Sequence, residues 1–304
     1  MDLAKGNVME SLSARPRISI IADGLWVAAP AKINLNLLVG ARRADGYHPL
    51  DSLVAKVTLY DQIELRSRRD GGITFSCHGA DCGPDEQNLA LRAARALANG
   101  RKVPGADIML RKAIPPGKGL AGGSSDAAAV LAGLNELWRL GLGEAELSSL
   151  AAGLGSDAPL FLGPPALRMT GRGERIEPVS VHPFVAVLWM GDLACSTAEV
   201  YKAFDRAGPA AMGSQLDVAL LREPPSRWRG LLVNQLAPAA EELFPQLRQI
   251  RQEMAASCGL AVHMTGSGSA LFALCDGLEE ARRVLAGLSE RFRRECLLAG
   301  SNPW

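Results

Sequence analysis

Apolar and polar positions alternate most clearly near the start of the chain. Trp26-Val27-Ala28-Ala29-Pro30 is an apolar run, and Ile33-Asn34-Leu35-Asn36-Leu37-Leu38-Val39 repeats with period two, so both predict strands. Residues 1–24 mix charged and small side chains, with only Ile18-Ser19-Ile20-Ile21 apolar, and read as a loosely structured N-terminal extension. A turn through Arg42, Asp45 and Gly46 follows, then extended segments at 52–66 and 73–77. Asp85 is placed to cap a helix running to about Ala98, with Leu89, Ala93, Ala96 and Leu97 on one face and Asn99-Gly100 as its stop. Ala106 to Lys112 predicts another strand, and helices are expected from Ser125 to about Leu140 and from Glu144 to Leu154.

Residues 164–182 are rich in Gly and Pro and suggest loop, short strands and a soft domain boundary. Beyond it the pattern predicts strands at 184–190, 260–265, 270–275 and near 294–299. Helices are expected from Ser196 to Phe204, near 214–222 and 237–256, and at 277–288. Helices and strands in similar amounts imply an α+β architecture. The division expected is 1–24, 25–172 and 173–304.

Composition narrows the function. Lys plus Arg number 33 against 32 Asp plus Glu, a net charge of +1. That balance argues against a broad nucleic-acid or membrane surface and leaves room for a local anion pocket. No run of apolar residues is long enough to span a bilayer. The first 17 residues carry Asp2, Lys5, Glu10, Arg15 and Arg17 without a continuous apolar core, which is unlike a signal peptide. The six cysteines are scattered with no C-x-x-C pair, so reduced thiols in a cytoplasmic protein are expected.

The most informative stretch is Pro115-Pro116-Gly117-Lys118-Gly119-Leu120-Ala121-Gly122-Gly123-Ser124-Ser125-Asp126. Glycines let a backbone take positive φ and approach a ligand closely, and successive free amides make an anion cradle. Ser124 and Ser125 are placed to cap the apolar helix that follows, and a helix N-terminus favours phosphate. A flexible turn is the bland alternative, but linkers are more often flanked by polar sequence. The G-x-x-x-x-G-K-[ST] pattern is absent. Gly117, Gly119 and Gly122 fit the dinucleotide fingerprint, but the acid at the right distance, Glu136, falls inside a predicted helix rather than at a strand end.

The stretch resembles the P-x-G-x-G-L-G-G-G-S-S-[DN]-A-A signature of the GHMP kinases, with Ala121 in place of one glycine. Pro30-Ala31-Lys32-Ile33-Asn34-Leu35 and Thr265-Gly266-Ser267-Gly268-Ser269-Ala270 are similar to that family's first and third motifs, so the resemblance runs from about residue 26 to about 290. It implies two domains, an N-terminal ribosomal-protein-S5-like α/β domain and a C-terminal ferredoxin-like α+β domain. It also implies ATP and Mg²⁺, with Ser124 or Ser125 as candidate metal ligands. Asp157, in Gly155-Ser156-Asp157-Ala158-Pro159, would be the catalytic acid and Lys32 its partner. On the residues alone Asp157 is equally a helix cap.

Within the family, Asp45-Gly46-Tyr47-His48 and Ser196-Thr197-Ala198-Glu199-Val200-Tyr201 are similar to segments of members that bind a cytosine ring. The implied substrate is a small diphosphocytidyl alcohol, phosphorylated in non-mevalonate isoprenoid biosynthesis. Tyr47 and Tyr201 would stack on the base, with His48, Asn34, Thr197, Gly266 and Gly268 as further substrate contacts. The bland alternatives are a turn plus a packed ring for Tyr47-His48, core packing for Tyr201 and a tight turn for Gly266–Gly268. A homoserine or mevalonate type of kinase and a non-catalytic nucleotide-binding regulator remain competing readings. Neither a nucleic-acid nor a membrane partner is expected, and the chain would be a monomer or a homodimer. Asn234-Gln235-Leu236-Ala237 departs from the family's Asn-Asp-Leu-Glu, so acid contacts expected there are missing.

Overall fold

A computed structural model describes residues 17–80, 83–208 and 212–302. Two sheets pack face to face between two helical layers. The first holds β1 (Ile18–Ile21), β2 (Gly24–Val39), β3 (Leu50–Ser67), β4 (Ile73–Gly79), β5 (Ala106–Lys112), β6 (Ala166–Gly171) and β7 (Arg175–Pro178). Its path runs β1-β2-β3-β5-β4, with β6 on β3 and β7 on β6. Only the β4–β5 pair is parallel. The second sheet is antiparallel, ordered β11-β8-β10-β9, from β8 (Val185–Trp189), β9 (His263–Met264), β10 (Leu271–Cys275) and β11 (Cys296–Gly300).

Period-two alternation decides what each sheet buries. On one face of the first sheet, Val27, Ile63, Leu65, Ile108 and Leu110 pack under α1 (Leu89–Ala98), α2 (Gly122–Leu137) and α3 (Glu144–Ala152). On the other, Ile33, Leu35, Leu53 and Val57 meet Ala186, Leu188, Phe272 and Leu274 of the second sheet. The opposite-facing Val185, Val187, Trp189 and Leu271 contribute to a second helical core. That core takes in α4 (Thr197–Ala207), α5 (Ala237–Leu243), α6 (Pro245–Cys258), α7 (Leu278–Gly287) and α8 (Glu290–Glu295).

Several elements differ from the sequence expectation for identifiable reasons. β2 runs unbroken through Pro30, because a register shift between Pro30 and Ala31 absorbs the missing donor. Asn88 rather than Asp85 caps α1, its side chain accepting from the Ala90 amide. The helix expected over 237–256 is two, broken where Phe244 leaves helical φ/ψ ahead of Pro245. That near 214–222 reduces to a 3-10 turn at Leu220–Arg222. The first sheet extends to Pro178, past the division expected at 172/173, because β7 pairs back onto β6. Ile18–Ile21 of the N-terminal extension joins it by pairing with β2, and residues 1–16 lie outside the described residues. Cys195, Cys258, Cys275 and Cys296 are free thiols as expected, whereas Cys77 is disulfide-bonded: scattered spacing argues against a framework, not a single crosslink. Among the described residues no helix is long and apolar enough to cross a membrane.

Candidate active site

The glycine-rich segment ends in the N-terminus of α2, and neither serine caps it. Ala121 occupies the cap position in the left-handed region (φ 55°) with no side-chain hydrogen bond, so the first-turn amides are left for a ligand. The serines predict a helix start at Ser125; α2 begins at Gly122 because Ala121 makes the turn. An uncapped helix N-terminus on a glycine loop fits a polyphosphate. The wall opposite is a second loop, and the two meet backbone to backbone. A Cβ on Gly119 would lie 2.2 Å from the Thr265 carbonyl oxygen. One on Gly266 would lie 3.1 Å from the Gly119 oxygen and 3.3 Å from Lys32 Nζ.

Lys32 and Asn34 project from one face of β2, two residues apart. The Lys32 ammonium is buried, donates to Asn34 Oδ1 at 2.6 Å and stands 3.8 Å from Asp157 Oδ2. Burial pulls its pKa down, and the Asp157 carboxylate offsets part of that. The Lys32 amide donates to the Leu120 carbonyl at 3.1 Å, tying β2 to the glycine loop. Asn34 is committed on every side: Nδ2 donates to Ser52 Oγ at 2.8 Å, its backbone amide donates to Thr265 Oγ1 at 2.9 Å, and Oδ1 also accepts from Thr265 Oγ1 at 3.3 Å. It lines the cleft, but its visible work is to hold Lys32. Asp157 precedes the 3-10 turn Pro159–Phe161, and buried Lys56 donates to the carbonyls of Phe161 at 3.3 Å and Gly163 at 2.7 Å behind it.

Lys32, Asn34 and Asp157 line a cleft of about 820 Å³ with Tyr47, His48, Thr197, Tyr201 and Ser124. His48 Nδ1 contacts the Gly40 carbonyl at 2.9 Å and Nε2 faces Asp205 at 3.3 Å, which fixes the ring. Tyr201 packs on it with centroids 5.2 Å apart. Burial, then the negative charge of Asp157, pushes the Tyr201 hydroxyl up to about 12. Tyr47 is about half exposed and carries the Arg172 guanidinium 3.6 Å above its ring. Thr197 Oγ1 hydrogen-bonds Ser267 Oγ at 2.8 Å, joining α4 to the second loop.

Three sequence-predicted residues are placed differently from expectation. Ser125 is fully buried with Oγ lacking a hydrogen-bond partner and outside the cleft lining, so Ser124 is the serine available to a cation. Gly268 also lies off the lining, where a Cβ would meet Met264 Sδ at 2.8 Å, so it serves the turn. Lys118 turns its ammonium into the carbonyls of Gly191 and Leu193. The oxygens of Ser124 and Asp157 suit a hard cation that takes its remaining ligands from phosphates and water.

Other contributors are given no role by the sequence. Lys112 donates to Asp61 Oδ2 at 2.5 Å and to Asp126 Oδ2 at 2.7 Å, and Asp61 Oδ1 accepts from the amides of Ala113 and Ile114. This buried cluster ties α2 to β3 and β5 just behind the glycine loop. Burial, then Asp61, pushes the Asp126 carboxyl well up against the pull of Lys112. Asn234 Nδ2 donates to the carbonyls of Met264 and Gly266, steadying the second loop. Gln235 Oε1 accepts from the Val39 amide at 2.7 Å, so its departure from the family pattern keeps an acceptor while dropping a charge. Isolated charges in apolar runs, Asp61 and Asp126 above all, are the signal that points to them.

Two facing sheets, a glycine loop opening onto a helix N-terminus and a lysine–carboxylate couple beside it define a small-molecule kinase. Residues 88–162 match the GHMP kinases N terminal domain, and residues 218–294 match the GHMP kinases C terminal domain. The chain belongs to the GHMP kinase family. It is similar to the 4-diphosphocytidyl-2-C-methyl-D-erythritol kinase of Pelotomaculum thermopropionicum, with 40% identity over 88% of this chain and 93% of that one. The enzyme of the same name from Chlorobaculum tepidum is 38% identical over 90% and 97%. A crystal structure of 4-(cytidine 5'-diphospho)-2C-methyl-D-erythritol kinase superposes with a TM-score of 0.75 at 38% identity, covering 91% of this chain and 98% of that one. The mevalonate kinase of L. major shares the fold, with a TM-score of 0.62 at 16% identity, covering 96% of this chain and 99% of that one.

Proposed function

We propose that the chain transfers the γ-phosphoryl group of ATP to the 2-hydroxyl of 4-diphosphocytidyl-2-C-methyl-D-erythritol, a step toward isoprenoid precursors. The observation that carries this is the coexistence, in one cleft, of the Lys32–Asp157 couple, the uncapped N-terminus of α2 and the aromatic end formed by Tyr47 and Tyr201. Asp157 orients the acceptor hydroxyl and takes its proton. Lys32 holds that carboxylate and offsets charge on the oxygen as the proton leaves. An alkyl alcohol is a weak acid, so positioning and charge stabilisation supply most of the acceleration.

The amides from Gly119 to Ser124 bind the phosphates, with the partial positive charge of α2 behind them. Ser124 and Asp157 would hold Mg²⁺ on the protein side, where the ion would offset phosphate charge. Tyr47 and Tyr201 grip the cytosine, and each such stack contributes about 1–3 kcal/mol. On the division expected at 172/173, the nucleotide loop belongs to the N-terminal unit and Thr197, Tyr201 and Gly266 to the C-terminal one. The test is a substrate panel with ATP and Mg²⁺: 4-diphosphocytidyl-2-C-methyl-D-erythritol, homoserine, mevalonate and galactose. Turnover of the cytidyl compound alone is expected; turnover of homoserine or mevalonate without it overturns the reading.

A further inference from the structure

Lys118 sits in the middle of the glycine loop, where a phosphate contact would be the simple expectation. Its ammonium is buried instead and donates to two backbone carbonyls, Gly191 at 2.5 Å and Leu193. Those carbonyls belong to the connection between β8 and α4, the helix that carries Thr197 and Tyr201. The same connection touches the loop at a second point, where the Cys195 amide donates to the Gly117 carbonyl at 3.2 Å. Leu193 O also accepts from Ser269 Oγ, and the Ala270 amide donates to Lys118 O at 3.2 Å. Lys118 is therefore the residue at which three segments meet: its side chain ties the nucleotide loop to the 191–195 connection, and its backbone carbonyl ties the loop to the end of the second loop.

Among the described residues no carboxylate bonds to this ammonium. Burial pulls its pKa down, and Asp192, Cys195 and Glu295 offset that only through space. Carbonyl dipoles hold the charge, so its position follows the backbone on both sides. Gly117 and Gly119, which flank it, both take positive φ, at 69° and 72°. The root of the side chain moves with any adjustment the loop makes to phosphate.

We infer that Lys118 is a positioning residue that relays occupancy of the nucleotide loop to the 191–201 segment, so that the nucleotide organises the surface that receives the acceptor. This rests on the proposed reading of the loop as the ATP site, but not on the identity of the acceptor. A phosphate ligand would act differently: its loss would weaken nucleotide binding and leave the acceptor side unchanged.

The test is hydrogen–deuterium exchange of the full chain with and without a non-hydrolysable ATP analogue, for the wild type, Lys118→Met and Lys118→Arg. In the wild type the analogue is expected to slow exchange across 117–125 and across 191–201. In Lys118→Met protection of 117–125 persists while that of 191–201 falls by about tenfold, the scale of a lost charged hydrogen bond. Lys118→Arg restores it, since a guanidinium also donates to carbonyls. Steady-state kinetics should agree, with the KM for the acceptor rising in Lys118→Met more than the KM for ATP. Equal protection of 191–201 in wild type and Lys118→Met, or a rise confined to the KM for ATP, overturns the relay. An analogue that fails to protect 117–125 in the wild type refutes the nucleotide-loop reading and takes the relay with it.

Discussion

Gly119→Ala is the sharpest probe of how the two loops depend on each other. The added methyl carbon would lie 2.2 Å from the Thr265 carbonyl oxygen, and φ at Gly119 is +72°. Relief to an ordinary contact needs a displacement of about 1 Å. Thr265 is poorly able to supply it, because its amide donates to Ala270 O and its hydroxyl accepts from the Asn34 amide. The shift therefore reaches the Asn34–Lys32 pair. The left-handed backbone adds about 1–2 kcal/mol and overpacking a similar amount, so about 2–4 kcal/mol of stability is lost, a fall in Tm of about 4–8 °C. A 1 Å misplacement of reacting groups costs about 10²-fold in rate, and turnover should fall by that order. The assays are thermal unfolding and steady-state kinase kinetics. Gly123→Ala, where the nearest neighbour is Leu89 Cδ1 at 3.6 Å, should keep the wild-type Tm. Gly119→Ala with unchanged Tm and turnover within about twofold of wild type would refute the coupling of the two loops to Lys32.

Lys56 gives a pH-dependent signature. Burial, helped by the charge of Arg17, lowers its amine to about 7. Between about pH 7 and 10.5 the unfolded chain holds a proton that the folded chain lacks, so this group makes stability rise with pH there and adds no slope below. Lys56→Met should remove up to about 1.4 kcal/mol per pH unit of slope in urea unfolding, and an unchanged slope counts against the shift. Asp61→Asn should cost about 3–5 kcal/mol, because it takes from the buried Lys112 ammonium the carboxylate 2.5 Å away and leaves burial still opposing charge on Asp126. Asp126→Asn should cost under about 1 kcal/mol, and equal losses in the two variants would contradict that assignment. Tyr201→Ala should raise the KM for a cytidyl acceptor by about tenfold or more while leaving that for ATP within about twofold, whereas a parallel rise in both would place Tyr201 in the core rather than on the base.

Chemistry carried by a contiguous stretch of chain is legible in the amino-acid sequence. Four glycines ahead of an apolar helix announce an anion cradle because backbone amides form it whatever the rest of the fold does. A charged residue inside an apolar strand, as at Lys32, announces a partner elsewhere. The direction of a long side chain in a loop is another matter. Lys118 follows two carbonyls more than seventy residues away, and nothing near it in the chain reveals them. Ser124 and Ser125 look alike in sequence, yet the helix starts earlier than they suggest and turns one outward and one inward. The apolar period over 237–256 continues across Phe244-Pro245, so it hides the break that the backbone makes there.

In the proposed mechanism Asp157 readies the acceptor hydroxyl, with the Lys32 ammonium 3.8 Å from its carboxylate. Asp157→Asn keeps the shape and removes the base. Measured at saturating ATP and acceptor, turnover should fall by about 10²–10⁴-fold, with the KM for ATP within about threefold of wild type. Turnover within about threefold of wild type would take Asp157 out of the chemistry and the proposed mechanism with it.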